Sequence, residues 1–240
     1  MRIESRLVDY CDETVNYQGR LTFDRQIPGK KPGVLVAHTI RGRTAFEERK
    51  AEQLAGLGYA AFALDLYGAA ELGSGDENTR SCMQALLRDR TELRRRVALS
   101  LATLEEQPEV DAARTAAIGF CFGGLCVLDL ARSGANVAGV ASFHGLLDPP
   151  EASVTERVNA RVLVLHGWDD PLAKPKIVLA LAEEMTAAGA DWQLHAYGNT
   201  VHAFTNPAAS DSSRGTVYDA AADRRSWAAM ADFLNELFSG

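Results

Sequence analysis

With 240 residues, 47% of them hydrophobic and 24% charged, the chain can bury one sizeable core, and its composition excludes a disordered, collagen-like or disulfide-dense protein. A formal net charge of −7 argues against a main role in holding nucleic acid or an anionic membrane, since both need a basic footprint. The length suits a single α/β domain spanning residues 1–240, and that organisation is the expectation.

The opening MRIESRLVDYCDET has no apolar signal core, and no stretch approaches the ~20 apolar residues of a membrane span. Within it RIESRLVDY, and after it RLTFDR, alternate polar with apolar residues, the pattern of an antiparallel hairpin at a sheet edge. Five near-continuous apolar runs follow: GVLVAHT (33–39), YAAFALDL (59–66), TAAIGF (115–120), VAGVASFHG (137–145) and ARVLVLHG (160–167). They read as strands covered on both faces. Helical periodicity predicts helices at about 44–57, 79–106, 122–133, 173–188 and 219–238, the last with Trp227, Met230, Phe233, Leu234 and Leu237 at helical spacing. Strands alternating with helices specify a mostly parallel central sheet with helices on both faces. Arg88, Arg90, Arg94, Arg95 and Arg96, interleaved with Asp89 and Glu92, read as an ion-paired helix face.

Two loops, 67–79 and 199–216, are rich in Gly, Ser, Asn and Asp, and both follow strands. In an open α/β sheet, ligands meet the chain at the carboxyl ends of the strands. The cysteines at 11, 82, 121 and 126 show no CxxC spacing, so free thiols in a reducing cytoplasm are expected.

The segment GFCFGG (119–124) fits GxCxGG between a strand and a helix. A turn that tight holds its central residue in a strained conformation and needs small neighbours, here Gly119 and Gly123. It also presents Cys121 beside the amides that open the next helix, where negative charge is favoured. Cys121 is therefore the candidate nucleophile, against the reading that it is a small buried hydrophobe; Cys126, inside the apolar LCVLDLA, reads as core.

A thiol with an ordinary pKa near ~8.5 needs a base. In this architecture the order is nucleophile, acid, histidine, which leaves His195 and His202. His195 falls in the probable strand DWQLHAY, whereas His202 falls in the loop beyond it and is the choice. Asp169 and Asp170 follow the strand ending at 167; Asp170, directly before Pro171, is preferred, with helix capping as its alternative role. His166 reads as a buried hydrogen-bonding residue.

Cys in GFCFGG, Asp in HGWDDP, His in GNTVHAFTNP and the LDLYG that ends an earlier strand together resemble the dienelactone hydrolase family of α/β hydrolases, over about residues 12–238. The resemblance implies the α/β-hydrolase fold, Cys121 as nucleophile, His202 as base, Asp170 as its orienting acid, and the backbone amides of Ile40 and Phe122 as oxyanion donors. It also implies two departures. Thr39 stands where the family has a glutamate beside the resting thiol, and Asn206 where it has an arginine for the substrate carboxylate; Arg80 matches a second such arginine. The expected activity is hydrolysis of a small ester or lactone through an acyl-thioester, with no cofactor, metal, nucleic-acid or membrane partner. No HExxH or dinucleotide-loop pattern is present. A non-catalytic binding protein that keeps the scaffold is the alternative.

Overall fold

The computed structural model describes residues 1–150 and 157–239. The chain folds as two compact units, Met1–Ala117 and Ile118–Gly240.

In the first unit, β1 (Ile3–Cys11) and β2 (Asn16–Asp24) form the expected antiparallel hairpin, in register from Ile3 opposite Asp24 to Cys11 opposite Asn16. Asp12 closes its turn, Oδ1 accepting from the amides of Thr14 at 2.7 Å and Val15 at 2.8 Å. β3 (Lys31–Ala37) pairs parallel with β4 (Ala60–Ala63), and β2 pairs antiparallel with β4. The order is β1-β2-β4-β3-β5, where β5 (Val110–Phe120) is the strand along which the chain passes into the second unit. Val34, Leu35, Val36 and Phe62 are fully buried, as their unbroken apolar runs require.

α1 (Ala45–Gly56) lies where the periodicity placed it, but the single helix expected over 79–106 is two, α2 (Asp76–Arg88) and α3 (Arg90–Glu105). Asp89 takes a non-helical conformation (φ −119°, ψ 82°), and its carboxylate accepts from the Glu92 amide at 2.9 Å. An aspartate competes poorly inside a helix and well at its start, so the break falls there. Of the arginines expected to be ion-paired, Arg95 and Arg96 are, whereas Arg94 Nε donates to the Arg90 carbonyl at 3.3 Å. Arg95 meets Glu92 and Asp12, while Arg96 meets Glu92 and donates inward to the Leu66 carbonyl at 2.7 Å.

In the second unit the order is β5-β6-β7-β8, with β6 (Gly139–Phe143), β7 (Arg161–Gly167) and β8 (Trp192–Tyr197) pairing in parallel. α4 (Phe122–Arg132) is buried along its whole length, which its apolar sequence allows all round. Its one charged pair is neutralised internally: Arg132 bonds Asp129, and holds Glu184 of α5 (Pro175–Ala187) with two nitrogens at 2.7 and 2.8 Å. α6 (Ala220–Phe238) closes the unit. The loop read as irregular at 199–216 holds a small antiparallel ribbon, β9 (Ser210–Asp211) with β10 (Thr216–Val217). Among the described residues no helix is long and apolar enough to cross a membrane.

Candidate active site

The strand-to-helix turn at Cys121 is as tight as its glycines suggested. Cys121 has φ 56° and ψ −116°, a conformation costing an L-residue on the order of 1–3 kcal/mol. Backbone bonds impose it: its amide donates to the Phe143 carbonyl at 3.0 Å, and its carbonyl accepts from Gly124 at 3.0 Å and Leu146 at 3.4 Å. A Cβ on Gly119 would stand 2.0 Å from the Gly123 carbonyl oxygen. Gly124 matters equally, since a Cβ there would stand 2.7 Å from the Gly145 Cα. The result is a half-buried thiol at the head of α4, with Phe122 as the first helical residue and no side chain capping the helix. Its first amides form the positive end of the helix dipole.

Asp170 and His202 come to the same unit from two loops. His202 Nδ1 and Asp170 Oδ2 are 2.7 Å apart, with side chains 3% and 0% exposed. The other carboxylate oxygen of Asp170 accepts the Leu172 amide at 2.8 Å, so the carboxylate is fixed from both sides, whereas Asp169 is exposed. Main-chain bonds fix His202 as well. The His202 amide donates to Gly215 at 2.9 Å and its carbonyl accepts from Val217 at 3.1 Å, which places it against the β10 ribbon.

With Nδ1 occupied, Nε2 is the ring nitrogen left for Cys121. Burial on its own pushes the His202 pKa down. The negative charge of Cys121 and the hydrogen bond to Asp170 outweigh it, raising the pKa to about 10. His166, at the end of β7, is buried and donates from Nε2 to the Ala173 carbonyl at 2.8 Å. Burial lowers its pKa, and it holds the loop that carries Asp170. His195 is exposed on β8.

A model of the dienelactone hydrolase family matches residues 18–238. The chain belongs to the dienelactone hydrolase family. A solved structure named m3DLH is similar, with 41% identity, a TM-score of 0.94, and 99% of this chain and 100% of that one covered. So is a dienelactone hydrolase-like promiscuous phosphotriesterase, P91, from metagenomic libraries, at 39% identity and TM-score 0.91 over 99% of both chains. A probable 2-oxo-3-(5-oxofuran-2-ylidene)propanoate lactonase of Bradyrhizobium is 26% identical over 85% of this chain and 86% of its own. The fold is therefore the α/β hydrolase, and the protein is a hydrolase acting on ester or lactone bonds.

This dienelactone hydrolase family member carries its departures in defined surroundings. Asn206 is half-buried and uses Oδ1 to accept the Ala208 amide at 3.0 Å, holding its own turn. In the first unit, Thr39 and Ile40 follow β3, and Arg80 is exposed on α2. Glu47, which no sequence argument singled out, is fully buried and accepts the Thr39 amide at 3.1 Å and the Thr44 amide at 2.9 Å. On the far side of Thr39, its carbonyl meets His38 Nδ1 at 2.7 Å, while His38 Nε2 accepts the Leu66 amide at 3.2 Å. A backbone amide can only donate, so Nδ1 carries the proton and His38 is one fixed tautomer. Burial lowers its pKa and keeps it neutral. The Ile40 carbonyl is held by the Tyr67 hydroxyl at 3.1 Å. The T-x-x-E capping pattern at 44–47 was the available signal for Glu47. Among the described residues no cluster of three or more His, Cys, Asp or Glu could hold a metal ion.

Proposed function

We propose that the protein hydrolyses a small, uncharged carboxylic ester or lactone through an acyl-thioester on Cys121. The carrying observation is the strained elbow that presents Cys121 at the head of α4, in the same unit as the buried 2.7 Å His202–Asp170 pair; the raised pKa of His202 agrees with it. That arrangement supports a standing thiolate–imidazolium pair, which needs no carboxylate at position 39 to switch the thiol on.

The thiolate attacks the carbonyl carbon, forming the C–S bond and an oxyanion that the Phe122 amide receives. The Ile40 amide is the second donor that the resemblance implies. As the intermediate collapses, the leaving oxygen takes the proton from His202 Nε2. The thioester is neutral, so His202 loses the charge that favoured its protonated form while burial still opposes it. The ring is then a base for water. The hydroxide equivalent attacks the thioester, the acid departs, and Cys121 and His202 regain their charges with Asp170 holding the ring throughout. Asn206, neutral and engaged in its own turn, supports a substrate without the carboxylate that the family's arginine receives. Four cysteines without a disulfide among them suit a reducing cytoplasm.

The test is Cys121→Ala on a panel of aryl esters and lactones. A loss of more than ~10³-fold in kcat/KM, with an acyl adduct on Cys121 in acid-quenched unsubstituted enzyme, is expected. Undiminished turnover in the alanine variant would sink the mechanism. Phosphotriesters are a second substrate class, favoured by the 39% identity to the promiscuous phosphotriesterase. A p-nitrophenyl phosphotriester in the same panel, hydrolysed only while Cys121 is present, tests it.

A further inference from the structure

His144, which neither the family motif nor the proposed mechanism uses, stands at the end of β6 with φ 37°. For a residue other than glycine this left-handed conformation is strained, and it persists only where surroundings impose it. The surroundings here are those of the elbow. Phe143, one residue before, accepts the Cys121 amide, and Leu146, two residues after, donates to the Cys121 carbonyl. The His144 amide itself donates to Leu165 at 2.8 Å, so the backbone direction is fixed and the side chain is aimed inward, 1% exposed.

Its ring reaches the histidine loop. Nε2 lies 2.8 Å from the Thr205 hydroxyl, which is fully buried. The ring stands edge-on to His202 with centroids 5.1 Å apart, and edge-on to Phe204 at 5.0 Å. A single hydrogen bond from Nδ1 to the Asp170 carboxylate leaves an imidazole free to tilt about that contact. A second ring at van der Waals distance removes the tilt, and a bond to Thr205 anchors the backbone just beyond His202, where Ala203 is itself left-handed at φ 60°.

We propose that His144 is a positioning residue for His202: its bond to Thr205 and its edge contact set the plane and depth of the base relative to the elbow that carries Cys121. This rests on His202 being the base in the reading above. A base displaced by about 1 Å costs on the order of 10² in rate, which makes such an anchor worth keeping despite the strain.

The experiment separates the side-chain bond from the backbone conformation. His144→Gln keeps the reach to Thr205. His144→Asn tolerates the left-handed backbone at least as well but is too short to reach it. Thr205→Val is close to isosteric and removes the hydroxyl. Expected are a kcat within about threefold of the unsubstituted enzyme for Gln, and a kcat lowered ~10- to 100-fold for Asn and Val with KM changed less than about threefold. Cys121 alkylation by iodoacetamide should slow in parallel. The double variant Asn plus Val should be no worse than the poorer single one. Equal kcat for Asn and Gln, or an unchanged kcat and alkylation rate in Thr205→Val, would overturn the proposal. If His144→Asn fails to fold, the Thr205→Val and Thr205→Ser pair decides alone, with activity retained only in Ser. Failure of the base assignment is distinguishable: in the unsubstituted protein Cys121 would then react no faster with iodoacetamide than Cys11, Cys82 or Cys126.

Discussion

Each unit contains a tight passage from a buried strand into a helix, and the two are built on opposite principles. The turn from β3 into α1 is made with polar side chains. Thr44 caps the helix by accepting the Phe46 amide, and Glu47 reaches back to the amides of Thr44 and Thr39. The turn from β5 into α4 is made with glycines and backbone strain, and nothing caps it. Capping spends the positive end of a helix on the protein's own carboxylate. The turn at Cys121 puts no side-chain carboxylate there, which is what the proposed anion at the thiol requires. The two turns thus differ less in fold than in which group satisfies the first helical amides.

The contrast can be broken most severely at Gly119. Gly119→Ala forces a Cβ against the Gly123 carbonyl, where backbone meets backbone, and should cost about 3 kcal/mol or more in denaturant titration while abolishing Cys121 alkylation. Retention of both stability and alkylation would mean that the elbow is looser than its glycines indicate. Glu47→Ala removes the acceptor from two half-buried amides and should lose about 1 to 3 kcal/mol. Thr44→Ala should cost about 1 kcal/mol, the ordinary value of a cap.

The finest test is pH. With His202 holding its proton to about pH 10, Cys121 alkylation should vary little between pH 7 and 9, where an ordinary thiol of pKa ~8.5 gains several-fold in thiolate. A raised folded pKa stabilises fully below the unfolded value of ~6.5, and that contribution is lost as pH rises through about 10. The unsubstituted protein should therefore lose more stability than His202→Gln between pH 7 and 10. Parallel pH curves for the two would show that His202 gains no proton affinity on folding.

The strands and helices were legible because burial on both faces leaves unbroken apolar runs, as in GVLVAHT and ARVLVLHG, and the elbow was legible because glycine alone permits it. The break at Asp89 was legible in principle, as an Asp followed three residues on by Glu92, but helical spacing continues across it and masks the cap. β5 starts at Val110 rather than 115 because its first residues pair through the backbone while their side chains, Asp111 to Arg114, face outward without an apolar signal. The order inside the 199–216 loop is likewise made of main-chain bonds, which composition does not record. Glu47 could be read as a capping residue, yet its bond to Thr39 depends on how the strand end folds back. The His144 to Thr205 bond spans 61 positions and a left-handed residue, and no local pattern encodes it.

The loops that deliver Asp170 and His202 are joined to each other by main chain. The Asp169 amide donates to the Thr200 carbonyl at 3.0 Å, and Gly167 lies so near the Thr200 and Val201 carbonyls that a Cβ would stand 2.5 and 2.8 Å away. Gly215 is wedged in the same way against the Pro171 ring. Such a joint is indifferent to most side-chain identities but intolerant of a change in chain length. Exchanging outward residues such as Pro207, Ala208 or Ser213 should leave Asp170 and His202 together, whereas one inserted residue between 199 and 203 would pull them apart.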